Sequence, residues 1–419
     1  MTKSFSKRMP IVLKTLLKLI SHNVLRFFSS PTLKGHMKTG AMRVFSANGI
    51  ATFFGYHDKT PFSLDGTKLL AMSFEANDRE PASECGPMSI GFFSINSEKR
   101  DQGLEVFAQT TTWCYQQGCM LQWHPINSNS EVYFNDVVDG QYGAVHFDID
   151  QSAVVRKYHH PIYSLDPTGR YGTTLNFSRL GRLRPGYGYG LLPDSTIGEQ
   201  APDDDGLLLL DLQSGEVDLI VSLAELAQSG GDPNSEHYVN HATFSPDGKR
   251  VVFFHLWSRE QDAGGRGLRL CELDIQSREW RVIESRRIVS HYCWRDSRSF
   301  LATTLDTSRN WQYTIYDVID NTRTDLHLPF KEDGHPMFHP TDKNIIVTDT
   351  YPDRRRDQHL CIVNLETKES FEIATLYSPM RYQGQVRCDL HPRWDREGRY
   401  VAVDSTFSGR RSLVIVDIQ

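Results

Sequence analysis

The sequence predicts an all-β chain folded as a seven-bladed β-propeller, preceded by an N-terminal amphipathic helix. Three observations carry this expectation. A strand–turn–strand unit recurs seven times along the chain. Further β-rich hairpins fill the intervals between the copies. The last copy ends one strand short, while a spare strand stands before the first. Supersecondary units repeating every few tens of residues stack on their neighbours, because none buries its apolar faces alone.

Taken in chain order, residues 1–40 come first. "MPIVLKTLLKLISHNVLRFF" carries Lys14, Lys18, His22 and Arg26 four apart. On a helix this spacing makes a basic stripe opposite Leu13, Leu16, Leu17, Ile20 and Leu25. Such a helix packs on its own domain or a partner, or makes peripheral contact with an anionic membrane. The charges interrupt the apolar run too often for a membrane span, and no small-residue cleavage site follows. A cytoplasmic location is therefore expected.

Residues 41–419 then form the propeller, with "AMRVFSANGIATF" (41–53) as the strand that closes the ring. The seven copies begin at Gly55 (GYHDKTPFSLDG), Cys119 (CMLQWHPINSN), His159 (HHPIYSLDPTG), Asn240 (NHATFSPDG), Ser290 (SHYCWRDS), Gly334 (GHPMFHPTDK) and Cys388 (CDLHPRWDREG). Between them lie hairpins such as "RLCELDIQSREWRVI" and "LCIVNLETKESFEI". Each repeat thus holds four strands, A to D, which is one blade. Closure removes the exposed edges of an open array.

With 46 basic and 52 acidic residues the net charge is -6, which argues against bulk nucleic-acid binding. The seven cysteines are scattered without a CxxC pair, as suits reduced thiols.

Strand A lines the channel of a propeller. His57, His160, His241, His291, His335 and His391 fall at or near A-strand starts and are expected to converge on its mouth. The B–C loops rim that mouth and are rich in arginine, among them Arg179, Arg184 and Arg259. His291 and Cys293, two apart on a strand, share a face. With His335 and His391 from the next two blades they offer three imidazoles and a thiolate, a set that suits a divalent metal, first of all zinc. Four ligands would make the ion structural; an open position would make it catalytic. The histidines also have an ordinary use, hydrogen-bonded to backbone or water.

In the third copy Tyr163 sits on strand A and Arg179 ends strand B. A long B–C insertion, "SRLGRLRPGYGYGLLPD", adds Arg184, Tyr187 and Tyr189. Tyrosine, histidine and arginine without a serine-nucleophile motif suit β-elimination from a uronic acid. The carboxylate must be neutralised before its α-proton, at C5, becomes acidic, and the leaving O4 must be protonated. Hydrolysis would need paired carboxylates, for which only Asp349 and Asp404 offer themselves.

The motifs "HATFSPDG", "SHYCW", "DGHPMFHP", "TDTYPD" and "RCDLHPRW" resemble those of seven-bladed polysaccharide lyases, the oligogalacturonate and ulvan lyases, over most of residues 45–419. The resemblance implies an acidic, uronate-containing oligosaccharide or polysaccharide as partner. It implies a divalent metal on channel histidines, with manganese or calcium as alternatives to zinc. Tyr163 and Arg179 are similar to the ulvan-type catalytic pair. Where that type has catalytic histidines in blade two, this chain has Gln117 and Asn135, which would contact substrate. His255 or His160 would then supply the base, and Arg184, Arg259, Tyr187 and Tyr189 would hold the sugar. The rival expectation is a propeller that binds an anionic glycan or a protein without catalysis.

Overall fold

The computed structural model describes residues 36–418, apart from 38–39, 47–49, 76–79, 96–102 and 259–266. The expected helix within residues 1–40 and the expected site residue Arg259 lie outside the described residues.

Seven antiparallel sheets follow one another along the chain. Blade one runs Ala51–Phe53, Lys68–Phe74, Met88–Ser94 and Glu105–Thr110, each strand pairing with the next. Blades two to five repeat this order. Blade seven takes Arg393–Trp394, Tyr400–Ser405 and Ser412–Asp417 from the end of the chain and its outer strand, Met42–Phe45, from the beginning. The register of that join runs from Met42 opposite Val416 to Phe45 opposite Leu413. His36–Met37 lies within the span expected as helical, yet pairs with the outer strand of blade six as a fifth strand.

Inner strands are apolar on both faces because each blade is packed between two others. Lys68–Phe74 is buried from Leu69 onward. Outer strands meet solvent, and Ala153–Tyr158 is largely exposed. The A–B turns use side chains to hold backbone N–H groups. In "SPDG", Ser245 Oγ accepts from Arg250 N at 3.0 Å. In the two "HP" turns a histidine does this work: His124 Nδ1 accepts from Ile126 N (3.0 Å) and Asn127 N (3.1 Å), and His339 Nδ1 from Asp342 N (3.1 Å).

Regular pairing of the A strands is short in blades two, three, six and seven, two residues each. In blades four and five it is long but carries an irregularity, between Asn240 and Thr243 and between Val289 and His291. The A-strand entrances are therefore irregular backbone, free to turn side chains toward the axis. His241 and His391 hold left-handed φ values of 53° and 46°. Such strain in a non-glycine residue survives only where the surroundings enforce it, and it clusters at working sites.

Candidate active site in the central channel

Five of the six A-strand histidines meet on the axis. Ring centroids lie 3.9 Å apart for His291–His335, 4.4 Å for His335–His391 and 5.3 Å for His57–His335. Tyr56, one residue before His57, stacks on His241 at 4.7 Å and contacts His391 at 4.9 Å. All five imidazoles are at most 3% exposed. Half-buried His160 stays outside: no hydrogen bond or ring contact among the described residues joins it to the set.

The orientation of three rings is fixed from behind. Nδ1–H of His291 donates to Gly334 O (3.0 Å), that of His335 to Asp349 (2.9 Å), and that of His391 to Gly55 O (2.8 Å). The Nε2 atoms of His335 and His391 are buried without a partner. An imidazole anchored through Nδ1–H with Nε2 free is the arrangement of a metal-ligating histidine. Gly55 is required here: its φ of 119° excludes other residues, and a Cβ would sit 3.0 Å from the Gln117 backbone.

Asp389 joins the cluster. Its carboxylate and the His335 and His391 nitrogens fall within 4.8 Å of one another. Burial alone would raise the Asp389 carboxyl, but Arg387 (Nε to Oδ2, 2.7 Å) and His335 outweigh it and hold it below the ordinary range. The donor set fits a divalent cation: two or three neutral imidazoles and one carboxylate.

Cys293 does not belong to this set. It shares a face with His291 but lies two residues, about 6.6 Å, further along the strand. There it packs with Leu301 and Phe338. Burial pushes its thiol up to about 12, the opposite of what ligation needs. A second group, His124, Glu131 and His146, has the right residue types within blade two. Two backbone N–H groups on His124 Nδ1 keep its proton on Nε2, so that ring has no lone pair to give.

The other arm of the site is a hydrogen-bonded chain. Gln117 Nε2 donates to Tyr163 Oη (2.7 Å), leaving the Tyr163 proton for His241 Nδ1 (2.8 Å). His241 therefore carries its proton on Nε2 and offers it to Tyr56 Oη (2.9 Å). Burial holds His241 well below its ordinary pKa, with Arg184 the next cause, so the ring is neutral. Burial raises Tyr56 and Tyr163 well above 10. Gln117 and Tyr163 thus position His241, and Tyr56 is the hydroxyl on the channel side.

The loop residues above sort into committed and free. Arg184 has its guanidinium 4.0 Å from the Tyr187 ring and makes no side-chain hydrogen bond among the described residues, with Nε buried and unpaired. Arg387 donates to Tyr187 Oη at 2.9 Å, and Tyr351 packs on His335 at 5.6 Å. The channel mouth therefore gathers two cations and three tyrosines around the histidines.

Four expected site residues are structural instead. Arg179 lies in the helix Phe177–Leu183, not at a strand end. Its donors bond the carbonyls of His237 (2.7 Å), Thr196, Glu199 (2.6 Å) and Gln200 (3.0 Å), pinning the insertion to blade four. Arg179→Met would strand those acceptors and is expected to cost about 3 kcal/mol or more, read as a lower midpoint in urea. Asn135 spends its amide on Ile162 N, Ile162 O and Tyr189 Oη. Tyr189 is stacked on Phe177 at 4.6 Å and cannot reach a sugar.

His255 is the fourth. Arg269 Nε donates to its Nδ1 (2.9 Å), its Nε2–H donates to His237 Nδ1 (2.8 Å), and His237 closes the chain on Asp232 O. No lone pair remains for a substrate proton. Burial, then Arg269, lowers His255 to about 2, and burial also lowers His237. These pKa values are depressed on folding, so the associated stability is complete above 6.5 and is lost as pH falls from 6.5 toward 2. A loss of about 1.4 kcal/mol per pH unit for His255 alone is expected from denaturant titrations between pH 6 and 4.

Asp349 and Asp404 do not form a hydrolytic pair. Asp349 orients His335 and accepts from His391 N, while Asp404 accepts from Phe54 N and Gly55 N at 2.9 Å each. Sequence reasoning missed Tyr56, Asp389, Arg387 and Tyr351. Asp389 stands two before His391 in "DLHP", the same-face spacing that had singled out Cys293. The other three sit in irregular linkers, where no periodicity marks them.

No family model matches the chain, and no curated protein does either. Among solved structures it is similar to an oligogalacturonate lyase in complex with manganese, at TM-score 0.64 and 14% identity over 93% of this chain and 99% of that one. An oligogalacturonate lyase from Vibrio parahaemolyticus aligns at TM-score 0.61 and 12% identity over 92% and 98%. A Mycobacterium tuberculosis puromycin-hydrolyzing peptidase aligns at 0.47 and 12% identity over 90% of this chain and 55% of that one. What the chain shares with the two lyases, nearly end to end, is the propeller.

Proposed function

We propose that the channel mouth performs β-elimination on a uronate-containing oligosaccharide with the help of a divalent metal. One observation carries the reading: buried, unpartnered imidazole nitrogens stand beside an uncommitted arginine and a neutral tyrosine–histidine pair. The likeness in fold to a lyase solved with manganese supports it.

His335, His391 and Asp389 would hold the ion, with His291 beside them. Without Cys293 the donors are nitrogen and oxygen, which suits manganese as well as zinc. When bound, the ion supplies positive charge against the uronate carboxylate. Arg184 takes the same carboxylate from the other side and spreads the charge that develops as C5 loses its proton. Tyr56 Oη, held by the His241 Nε2–H, takes that proton as it passes its own to O4, while the C4–O4 bond breaks and a C4=C5 double bond forms.

Arg184→Gln tests the reading. The variant is expected to fold normally and to lose about 10²-fold in kcat/KM, measured from the ultraviolet absorbance of the unsaturated product. An unchanged kcat/KM would remove Arg184 from the site.

A further inference from the structure

We infer that the opposite mouth of the channel is a second ligand site, built for a small hydroxylated ring acid of monosaccharide size. On the face of the A–B turns lies a cavity of about 320 Å³ formed between blades four to seven. This inference does not rest on the elimination reading, since none of the groups used below takes part in it.

The walls are aromatic: Phe244, Trp294 and Trp394 face the cavity. Such surfaces take the flat or C–H face of a ring. Two cations stand at it without an ion pair among the described residues, although Asp58 and Asp395 also line the cavity. Lys343 donates only to His339 O (3.1 Å), and Arg396 has no hydrogen bond or ion pair among the described residues. Burial lowers the pKa of both, the sign of cations held partly out of water.

Three buried polar atoms of lining residues lack partners: Trp294 Nε1, Asp58 Oδ1 and His57 Nδ1. Each such orphan calls for an explanation. His57 is 1% exposed, and its far side touches the metal-site histidines, so the cavity ends where the first site begins. Two cations and an indole N–H fit a carboxylate, while the Asp58 oxygen fits a hydroxyl donor. A ring carrying both groups answers the two cations, the indole N–H and the Asp58 oxygen together.

The test is calorimetric titration of the full-length protein with D-glucuronate, D-galacturonate and 4-hydroxybenzoate. The inference predicts saturable binding of at least one of them. Lys343→Met and Arg396→Gln should each weaken it tenfold or more, and Arg184→Gln should leave it intact. The site also contains its own reporter, because Cys293 lines it and is the one cysteine not fully buried. Ligand should slow alkylation of Cys293 in the wild-type protein. No saturable binding by any of the three acids overturns the inference. So does binding that Arg184→Gln abolishes and Lys343→Met does not, which would place the acid at the other mouth.

Discussion

Replacing His241 by alanine is expected to lower kcat/KM for elimination by about 10³-fold while leaving bound metal unchanged. The ring touches no metal-site nitrogen. It is instead the middle of the Tyr163–His241–Tyr56 chain. Removing it takes away the Nε2–H that holds Tyr56 Oη, the only stated hydrogen bond of that hydroxyl. Tyr56→Phe keeps the stacking on His241 and deletes the hydroxyl, so its loss separates proton transfer from packing. A fall of about 10² with KM little changed is the expected result. Gln117→Glu should act at one remove. A carboxylate beside Tyr163 would draw the Tyr163 proton to itself and reverse the direction of the chain, moving the pH profile more than the maximal rate.

The second large effect is expected from His335→Ala. This ring is central to the cluster, within 5.3 Å of His57, His291 and His391 centroid to centroid. Asp349 raises its pKa above the ordinary value against the effect of burial. In the metal-free protein His335 therefore competes for a proton, and metal uptake releases it. Metal content by elemental analysis should fall from about one ion per chain to near none in His335→Ala. Cys293→Ser should retain the ion, since its thiol lies along the strand from the cluster. A variant that kept stoichiometric metal without His335 would contradict the assignment of ligands.

The propeller could be read from the sequence because its determinants are periodic. Turns such as "SPDG" and "HPTDKN" recur in register, and the short last copy announces that the first strand closes the ring. Convergence of the channel histidines followed from strand order alone. What period-two reasoning does not encode is depth along a strand. Cys293 has the parity of His291 and the wrong height. Arg179 shows a second gap: the end of strand B becomes a helix capped by Asn176, which turns the guanidinium into the blade interface. Tyr56 and Asp389 act from irregular entrances, where neither helix nor strand periodicity applies. Gln117 and Asn135, which looked alike as departures from a histidine pair, prove different. One positions the proton chain, and the other fastens Ile162 and Tyr189.

The most direct measurement is the appearance of 4,5-unsaturated end groups when the metal-loaded protein is incubated with uronate oligomers and polymers, with binding followed in parallel. The account predicts unsaturated product from at least one uronate, lost in His241→Ala though metal and substrate still bind. Binding without product from every uronate, by protein carrying a full complement of metal, would contradict it and leave a propeller that holds an acidic glycan without cutting it.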